Sequence, residues 1–478
     1  MALVILLALL LVRSAIAATT GLSDTEAYYA SWARAPALSY YDHPPLVAWA
    51  GWLAIRTLGP GAVRVVPLAC GVVFDVLVYR LGALIFSPRA GVFALALIAV
   101  LPVFFYTGFL VNPEALLAPL WMLFLLALLA LRDHDEPWRP LVLGASVGAA
   151  FLAKYTGLLA LPVALLYVAS GAGTRRWLRR PSFYAGGLVS LAMASPVIVW
   201  NAARGWPSVG LHLGERQALR PESLAAALWR VGSAQMVYFH PLALPLLFAV
   251  LAFTVLRARR DERYRFLACA SAPVLAFLLT VMVRTPDSEP HWTMVGYVPV
   301  VVAAGGLLDE SAGLLRRVAT VALGVIMVSF TAGGLAYGAL VHSPMLQRAL
   351  PVYVPADDPI GETVGWSDVR AAVRSEASKL GPGTVVAGAH NVLCGHLMWA
   401  LGDAPHVYCE STRRTELDFM GRRALPDGVA VVFVDSDKYP ADVNRVMAAY
   451  ACGAREEVDA ERDGVTVGRY GLRACVRR

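Results

Sequence analysis

The chain has 478 residues, 58% of them hydrophobic and only 16% charged, with a mean hydropathy of +0.59. That is too apolar for a soluble protein of this length and indicates a polytopic membrane protein. The net charge of +7 does not argue for nucleic acid, because the arginines cluster in short connectors between apolar runs, where they orient spans.

Residues 1–18 form an apolar run with Arg13 inside it and an alanine-rich end. Without a basic leading region it reads as a first span rather than a signal peptide. A span needs ~20 apolar residues, and that ruler predicts an all-α membrane region of about eleven spans. They lie at 2–20, 61–80, 91–109, 115–131, 140–153, 156–171, 183–201, 236–256, 266–283, 292–308 and 318–340. Lys154 and Tyr155 interrupt the stretch 140–171, which is taken as two spans meeting at a membrane face. With the amino terminus inside, the arginines at 80, 89, 132, 139, 175–180, 257–265 and 316–317 all become cytoplasmic, in agreement with the positive-inside rule. The opposite face receives 21–60, the Asn112-Pro113-Glu114 turn, Lys154-Tyr155, 202–235, 284–291 and everything beyond 341.

Loop 21–60 carries Trp32, Trp49 and Trp52 in amphipathic pieces, which predicts helices lying in the interface; segment 202–235 reads similarly. Beyond 341 the composition becomes that of a soluble domain. Strand patterns at 384–389 and 429–435 alternate with helical patterns at 366–380 and 442–451, so the expected division is a transmembrane domain over 1–340 and a small extracytoplasmic α/β domain over 341–478. Cys70 and Cys269 fall in spans, whereas Cys394, Cys409, Cys452 and Cys475 fall in the tail. Four cysteines outside the membrane suit disulfides and allow three pairings, among which Cys394–Cys409 with Cys452–Cys475 is favoured.

The polar residues that carry chemistry collect on the outer face. Asp24 and Glu26 directly follow the first span. They are either acids of a capping box, which SDTE matches, or a general base at the rim of a low-dielectric cavity. In YYDHPPL (40–46) the Pro-Pro pair holds His43 extended beside Tyr41 and Asp42, a pattern that serves a turn or a site. Glu114 either complements a helix dipole or is a second carboxylate of the same cavity, and Lys154 either snorkels or binds an anionic headgroup. WNAARGWPSVGLHLGERQALR (200–220) places Arg204, His212, Glu215, Arg216 and Arg220 outside, where basic residues are disfavoured unless a ligand such as phosphate requires them. Glu289-Pro290-His291-Trp292 enters a span from that face as an aromatic anchor or as part of the site. His43, His212 and His291 lack ligand-like local spacing, so a divalent metal has weak support and no cofactor is required. There is no Walker loop, dinucleotide fingerprint or HExxH motif.

In these residues the sequence resembles the bacterial relatives of the protein O-mannosyltransferases, membrane glycosyltransferases that include the lipid A aminoarabinose transferase. The pieces are EAYYASW (26–32), YYDHPPLVA (40–48), NPEALLAPLW (112–121), FLAKYTGLLALP (151–162), SPVIVWNAARGWPS (195–208) and EPHWTMVGYVP (289–299). The resemblance implies a C-type glycosyltransferase fold, a sugar donor carried on a polyprenyl phosphate, and inverting transfer to a lipid, glycan or protein hydroxyl at the outer face of the bacterial plasma membrane. It further implies Asp24 or Glu26 as base, Glu114 as a second acid, and His43, Lys154 and Arg216 on the lipid phosphate. Arg204 joins the phosphate group, and Tyr28, Tyr41, Asp42, Glu215 and His291 complete the expected site.

Two departures stand out. Where the family usually has an adjacent Asp-Glu pair before Tyr-Tyr, this chain has Asp24-Thr25-Glu26, which leaves open which acid is the base, and the usual second Asp is here Glu114. The chemistry fits the residues in its own right, since the attacking hydroxyl must lose a proton and the departing phosphate must be stabilised by fixed cations. The rival is a polytopic transporter or lipid flippase, which commonly shows duplicated halves and midplane charges; no duplication is visible, and Asp75 is the best midplane candidate. A third reading, a sensor or assembly protein acting through its tail, is tested by removing 341–478.

Overall fold

The structure is a computed structural model that describes residues 1–215, 222–341, 343, 361–402, 406–411, 414–420, 425–438, 440–462 and 464–478. The chain divides into two compact units, one of Met1–Ala15, Leu38–Val47 and Arg64–Gly333, the other of Ile16–Ala37, Ala48–Val63 and Gly334–Arg478.

The first unit is helical. Among the described residues of the whole chain, seven helices are long and apolar enough to cross a membrane: Ala2–Thr19, Pro60–Ile85, Pro113–Asp133, Pro181–Ala202, Glu262–Arg284, Pro290–Glu310 and Arg316–Ala336. These account for seven of the eleven expected spans. Three others are shorter apolar helices, Pro88–Val100, Arg139–Ala153 and Tyr155–Ser170. The segment 91–109 breaks at Leu101, whose backbone is extended, because Pro102 lacks an N–H and disfavours the helical region in the residue before it. Lys154 is likewise extended (φ −158°, ψ 146°), so 140–171 does form two helices that meet there.

The segment 236–256 is corrected by the structure. In place of one continuous span, helices Leu224–Phe239 and Ala243–Arg257 meet at a 99° bend. Pro241 again supplies the reason, since His240 before it adopts φ 72°, ψ 128°, outside any helical region. The His240 ring stabilises the break, with Nδ1 accepting from the Leu242 N–H at 3.2 Å and Nε2 lying 2.9 Å from Ser329 Oγ.

Two devices hold the helices of this unit together. Gly144 and Gly186 let helices Arg139–Ala153 and Pro181–Ala202 approach until a Cβ on either would strike backbone of the other, the small-residue contact that compensates for the missing hydrophobic drive between helices in lipid. The charged device joins Arg13 to Asp75 at 2.5 Å, both side chains almost wholly buried. Arg13 Nε also donates to Phe105 O at 3.0 Å and Nη2 to Phe104 O at 3.1 Å. Asp75 is therefore half of an ion pair that ties the first helix into the bundle. Such a pair holds register more than it adds stability.

The second unit is α/β. Its strands are β1 (Val385–Gly388), β2 (Val407–Cys409), β3 (Ala430–Ser436), β4 (Tyr450–Cys452), β5 (Glu456–Arg462) and β6 (Val465–Arg477), in the order β2-β1-β3-β6-β4 with β5 also on β6. β1 pairs with β2 and β3 in parallel, and β6 runs antiparallel to β3, β4 and β5. The apolar run Val431–Val434 of β3 is buried on both faces, as a central strand covered on both sides requires. The helix expected at 366–380 is present as Trp366–Leu380. The one expected at 442–451 ends at Met447, because Tyr450–Cys452 leaves as β4, where Cys452 lies opposite Cys475. Disulfides join Cys394 to Cys409 and Cys452 to Cys475, while Cys70 and Cys269 are free. Helices Asp24–Trp32 and Leu46–Leu58 occupy the loop expected to hold interfacial helices.

Candidate active site

In the first unit, three of the sequence motifs converge on one carboxylate. Asn112 caps helix Pro113–Asp133 by accepting from the Ala115 N–H at 2.8 Å, and Pro113 occupies the first turn, where no N–H is needed. This sets Glu114 at the helix start, 4% exposed. Its Oε1 takes the Lys154 ammonium and lies 2.8 Å from His291 Nε2. Lys154 reaches it from the extended break between two helices, buried like Glu114, with its ammonium 5.8 Å from the Trp292 ring centre. His291 sits in the 3₁₀ turn Pro290–Thr293. That turn is braced by Gln235, which donates to Pro290 O at 2.8 Å and accepts from the Thr293 hydroxyl at 2.9 Å.

A second group of this unit joins YYDHPPL to the segment after Asn201. Ser208 Oγ donates to Tyr40 O at 3.3 Å, and His212 Nε2 lies 2.9 Å from Asp42 O. The Tyr41 hydroxyl donates to Glu215 at 3.5 Å. His43 is buried, with its ring 6.2 Å from that of His212, which in turn packs edge-on against Tyr155 at 4.7 Å. Arg204 is exposed and lies over the Trp200 ring at 4.7 Å. Arg216 and Arg220 fall outside the described residues.

In the second unit, Ser23 caps helix Asp24–Trp32 and Glu26 closes the capping box. Glu26 is buried at 1% exposure, and its Oε2 accepts from the Ser23 N–H at 3.0 Å. Asp24 points elsewhere. Its Oδ1 lies 2.9 Å from His396 Nε2, its Oδ2 lies 3.0 Å from Lys438 Nζ, and its backbone N–H donates to Glu362 Oε2 at 3.2 Å. Lys438 also pairs with Glu362. Burial opposes the Lys438 charge, but the hydrogen bond to Glu362 and the charge of Asp24 outweigh it and hold the ammonium above its ordinary range. Burial, then the charges of Asp24 and Glu362, push the nearby Tyr470 phenol up, so it stays protonated. His396 stacks flat on Trp366, ring centres 3.9 Å apart and planes 5° from parallel. Trp366 is itself anchored by its indole N–H on Glu362 O at 2.7 Å. The Tyr28 hydroxyl accepts from the Glu416 N–H at 3.1 Å.

The structure thus brings Glu114, Lys154 and His291 together, and separately gathers His43, Tyr41 and Asp42 with His212 and Glu215. Sequence reasoning missed His396, Lys438 and Glu362, which lie 372, 414 and 338 residues from Asp24. One signal was present: His396 is a lone basic residue in the apolar helix Asn391–Leu401. Among the described residues, no group of three or more His, Cys, Asp or Glu side chains is placed to hold a metal ion.

Comparison with known proteins points one way. The family model for dolichyl-phosphate-mannose-protein mannosyltransferases matches residues 42–200. The lipid A galacturonosyltransferase RgtD of Rhizobium johnstonii is 26% identical over 312 residues, covering 59% of this chain and 60% of that protein. The match therefore spans about three fifths of the relative's length. Crystal structures of ArnT from Cupriavidus metallidurans, apo and bound to undecaprenyl phosphate, superpose with a TM-score of 0.65 at 16% and 18% identity, covering 99% of this chain and 97% of theirs. The Archaeoglobus fulgidus oligosaccharyltransferase aligns with a TM-score of 0.50 at 13% identity, over 97% of this chain and 74% of its own.

Proposed function

For a polytopic membrane protein that has the C-type glycosyltransferase fold and resembles the bacterial protein O-mannosyltransferase-like and lipid A-modifying enzymes, we propose inverting transfer of a sugar. The donor is a polyprenyl-phosphate sugar, and the acceptor is a hydroxyl of an envelope lipid, glycan or protein at the outer face of the plasma membrane. The observation that carries this reading is the meeting of Glu114, Lys154 and His291, drawn from three separate motifs of the resemblance, on one buried carboxylate. A buried lysine in a membrane protein marks a ligand site by default, and an ammonium is a suitable partner for a departing phosphate.

In the proposed reaction the acceptor oxygen bonds to the anomeric carbon as the carbon–oxygen bond to the phosphate breaks. The electron pair of that bond leaves with the polyprenyl phosphate, and the acceptor proton passes to a carboxylate. Asp24 is favoured as that base, because Glu26 is committed to the cap of its own helix. Lys154, His43, Arg204 and Arg216 are assigned to the phosphate, with His291 holding Glu114. The carboxylate and the fixed cations supply this chemistry without a cofactor. Deletion of the protein in its native host should remove one sugar from one envelope component, detected by mass analysis of envelope lipids and glycans, and the sugar should return with the wild-type chain. An unchanged envelope with a changed distribution of a lipid between leaflets would favour a flippase instead.

A further inference from the structure

The second unit places three of its side chains around Asp24. Both carboxylate oxygens are gripped, Oδ1 by His396 at 2.9 Å and Oδ2 by Lys438 at 3.0 Å. From this geometry we infer that His396 is a positioning residue for the transfer reaction, fixing the orientation of the Asp24 carboxylate with Lys438 as its partner, so that the tail completes the base. The inference rests on the reading of Asp24 as base.

The construction around His396 is more than a helix needs. The ring is 3% exposed within a helix whose other buried residues are apolar or small, a costly place for a polar group without a task. It is clamped face to face on Trp366, which fixes the plane of the ring and hence the direction of Nε2. Trp366 is held by Glu362, and Glu362 also receives the Asp24 N–H and Lys438, so each member orients another. Gly395, next to His396, lies so near the Tyr28 backbone that a Cβ there would sit 2.8 Å from the Tyr28 Cα. This close approach lets helix Asn391–Leu401 bring His396 up to Asp24. Among the described residues, the ionisable groups facing Asp24 include His396, Lys438, Glu362 and Tyr470, with Glu26 on its own helix. Two carboxylates, Asp24 and Glu362, share the Lys438 ammonium. A shared lysine lowers the basicity of Asp24 less than an exclusive ion pair would.

The test uses the full-length chain in membranes of a native-host deletion strain, with the host's own labelled polyprenyl-linked sugars and acceptors, and measures turnover beside the affinity for undecaprenyl phosphate. His396→Ala should lower turnover at least tenfold and leave undecaprenyl phosphate affinity within twofold of wild type. His396→Gln, which retains an N–H for Oδ1, should recover part of the loss. The deciding variant is the double Asp24→Asn/His396→Ala, which should be no slower than Asp24→Asn alone, because a residue that acts through a carboxylate has nothing to act on once it is gone. A merely structural His396 would instead multiply the two losses, and that result overturns the inference, as does wild-type turnover in His396→Ala while Asp24→Asn is inactive. Wild-type turnover in Asp24→Asn would remove the base assignment itself, and the inference with it. If His396→Ala does not accumulate in the membrane, the same comparison is made with His396→Gln, whose loss must likewise vanish in the Asp24→Asn background.

Discussion

The two units use the same three ingredients, a carboxylate, a lysine and a histidine, and arrange them to opposite ends. Around Glu114 the lysine and the histidine converge on a single oxygen, and Lys154 is 4% exposed. Around Asp24 the histidine and the lysine divide the oxygens between them, the lysine is 25% exposed, and a second acid, Glu362, competes for it. In the first arrangement one acid and one lysine are paired in a buried site, and the ammonium is a suitable partner for a phosphate. In the second, two acids share one lysine, which weakens the base less than an exclusive pair would. Residue type alone does not assign a role; the sharing of the lysine and the number of oxygens engaged do.

The largest effect is expected at Glu114. Glu114→Ala leaves the Lys154 ammonium buried beside a histidine and should cost ~3–5 kcal/mol, the scale for stranding one partner of a buried pair. Thermal unfolding in detergent reads that loss. Glu114→Gln combined with Lys154→Met should recover most of it without restoring transfer. In the second unit, a loss of similar kind comes from the covalent frame. Cys452→Ser with Cys475→Ser opens a link spanning 23 residues and should cost ~2–4 kcal/mol, whereas the free Cys70 tolerates serine far better. Wild-type protein purified without reductant should show two free thiols on alkylation; six would refute the pairing.

Much of the fold was legible because the membrane makes it so: a long apolar run must be a helix, and seven of the expected spans appear as such. Hydropathy does not see a backbone break inside an apolar run. The prolines at 102 and 241 were visible in the sequence, but only the structure shows that each ends a helix instead of kinking it. Glu114, Lys154 and His291 were legible through the motifs that contain them. His396 and Lys438 were not, because their relation to Asp24 exists only after the tail has folded and no local spacing encodes it. Glu26 shows the reverse: its capping box was readable in four residues, since the hydrogen bonds that define it are local.

Ser23→Ala removes the cap that orients helix Asp24–Trp32 and should cost ~1 kcal/mol, with a drop in turnover if the helix start also aims Asp24. The smallest expected effect is the pH dependence of Lys438. Its folded value is raised, so its contribution to stability is complete below the unfolded lysine value, ~10.4, and is lost as pH rises through the folded value. For a partly exposed pair it should be ~0.2–1 kcal/mol. The unfolding midpoint of wild type should therefore exceed that of Lys438→Met at pH 8, and the gap should close as pH rises through the raised folded value.

Acid and cation are proposed to serve separate steps, and the direct measurement of this is turnover beside undecaprenyl phosphate affinity in Asp24→Asn, Glu26→Gln, Lys154→Ala and Arg216→Ala. Asp24→Asn should bind undecaprenyl phosphate like wild type and turn over ~10²-fold more slowly, the scale of a lost general base, while Lys154→Ala and Arg216→Ala should chiefly lose that affinity. Wild-type turnover in both Asp24→Asn and Glu26→Gln would contradict this division of roles.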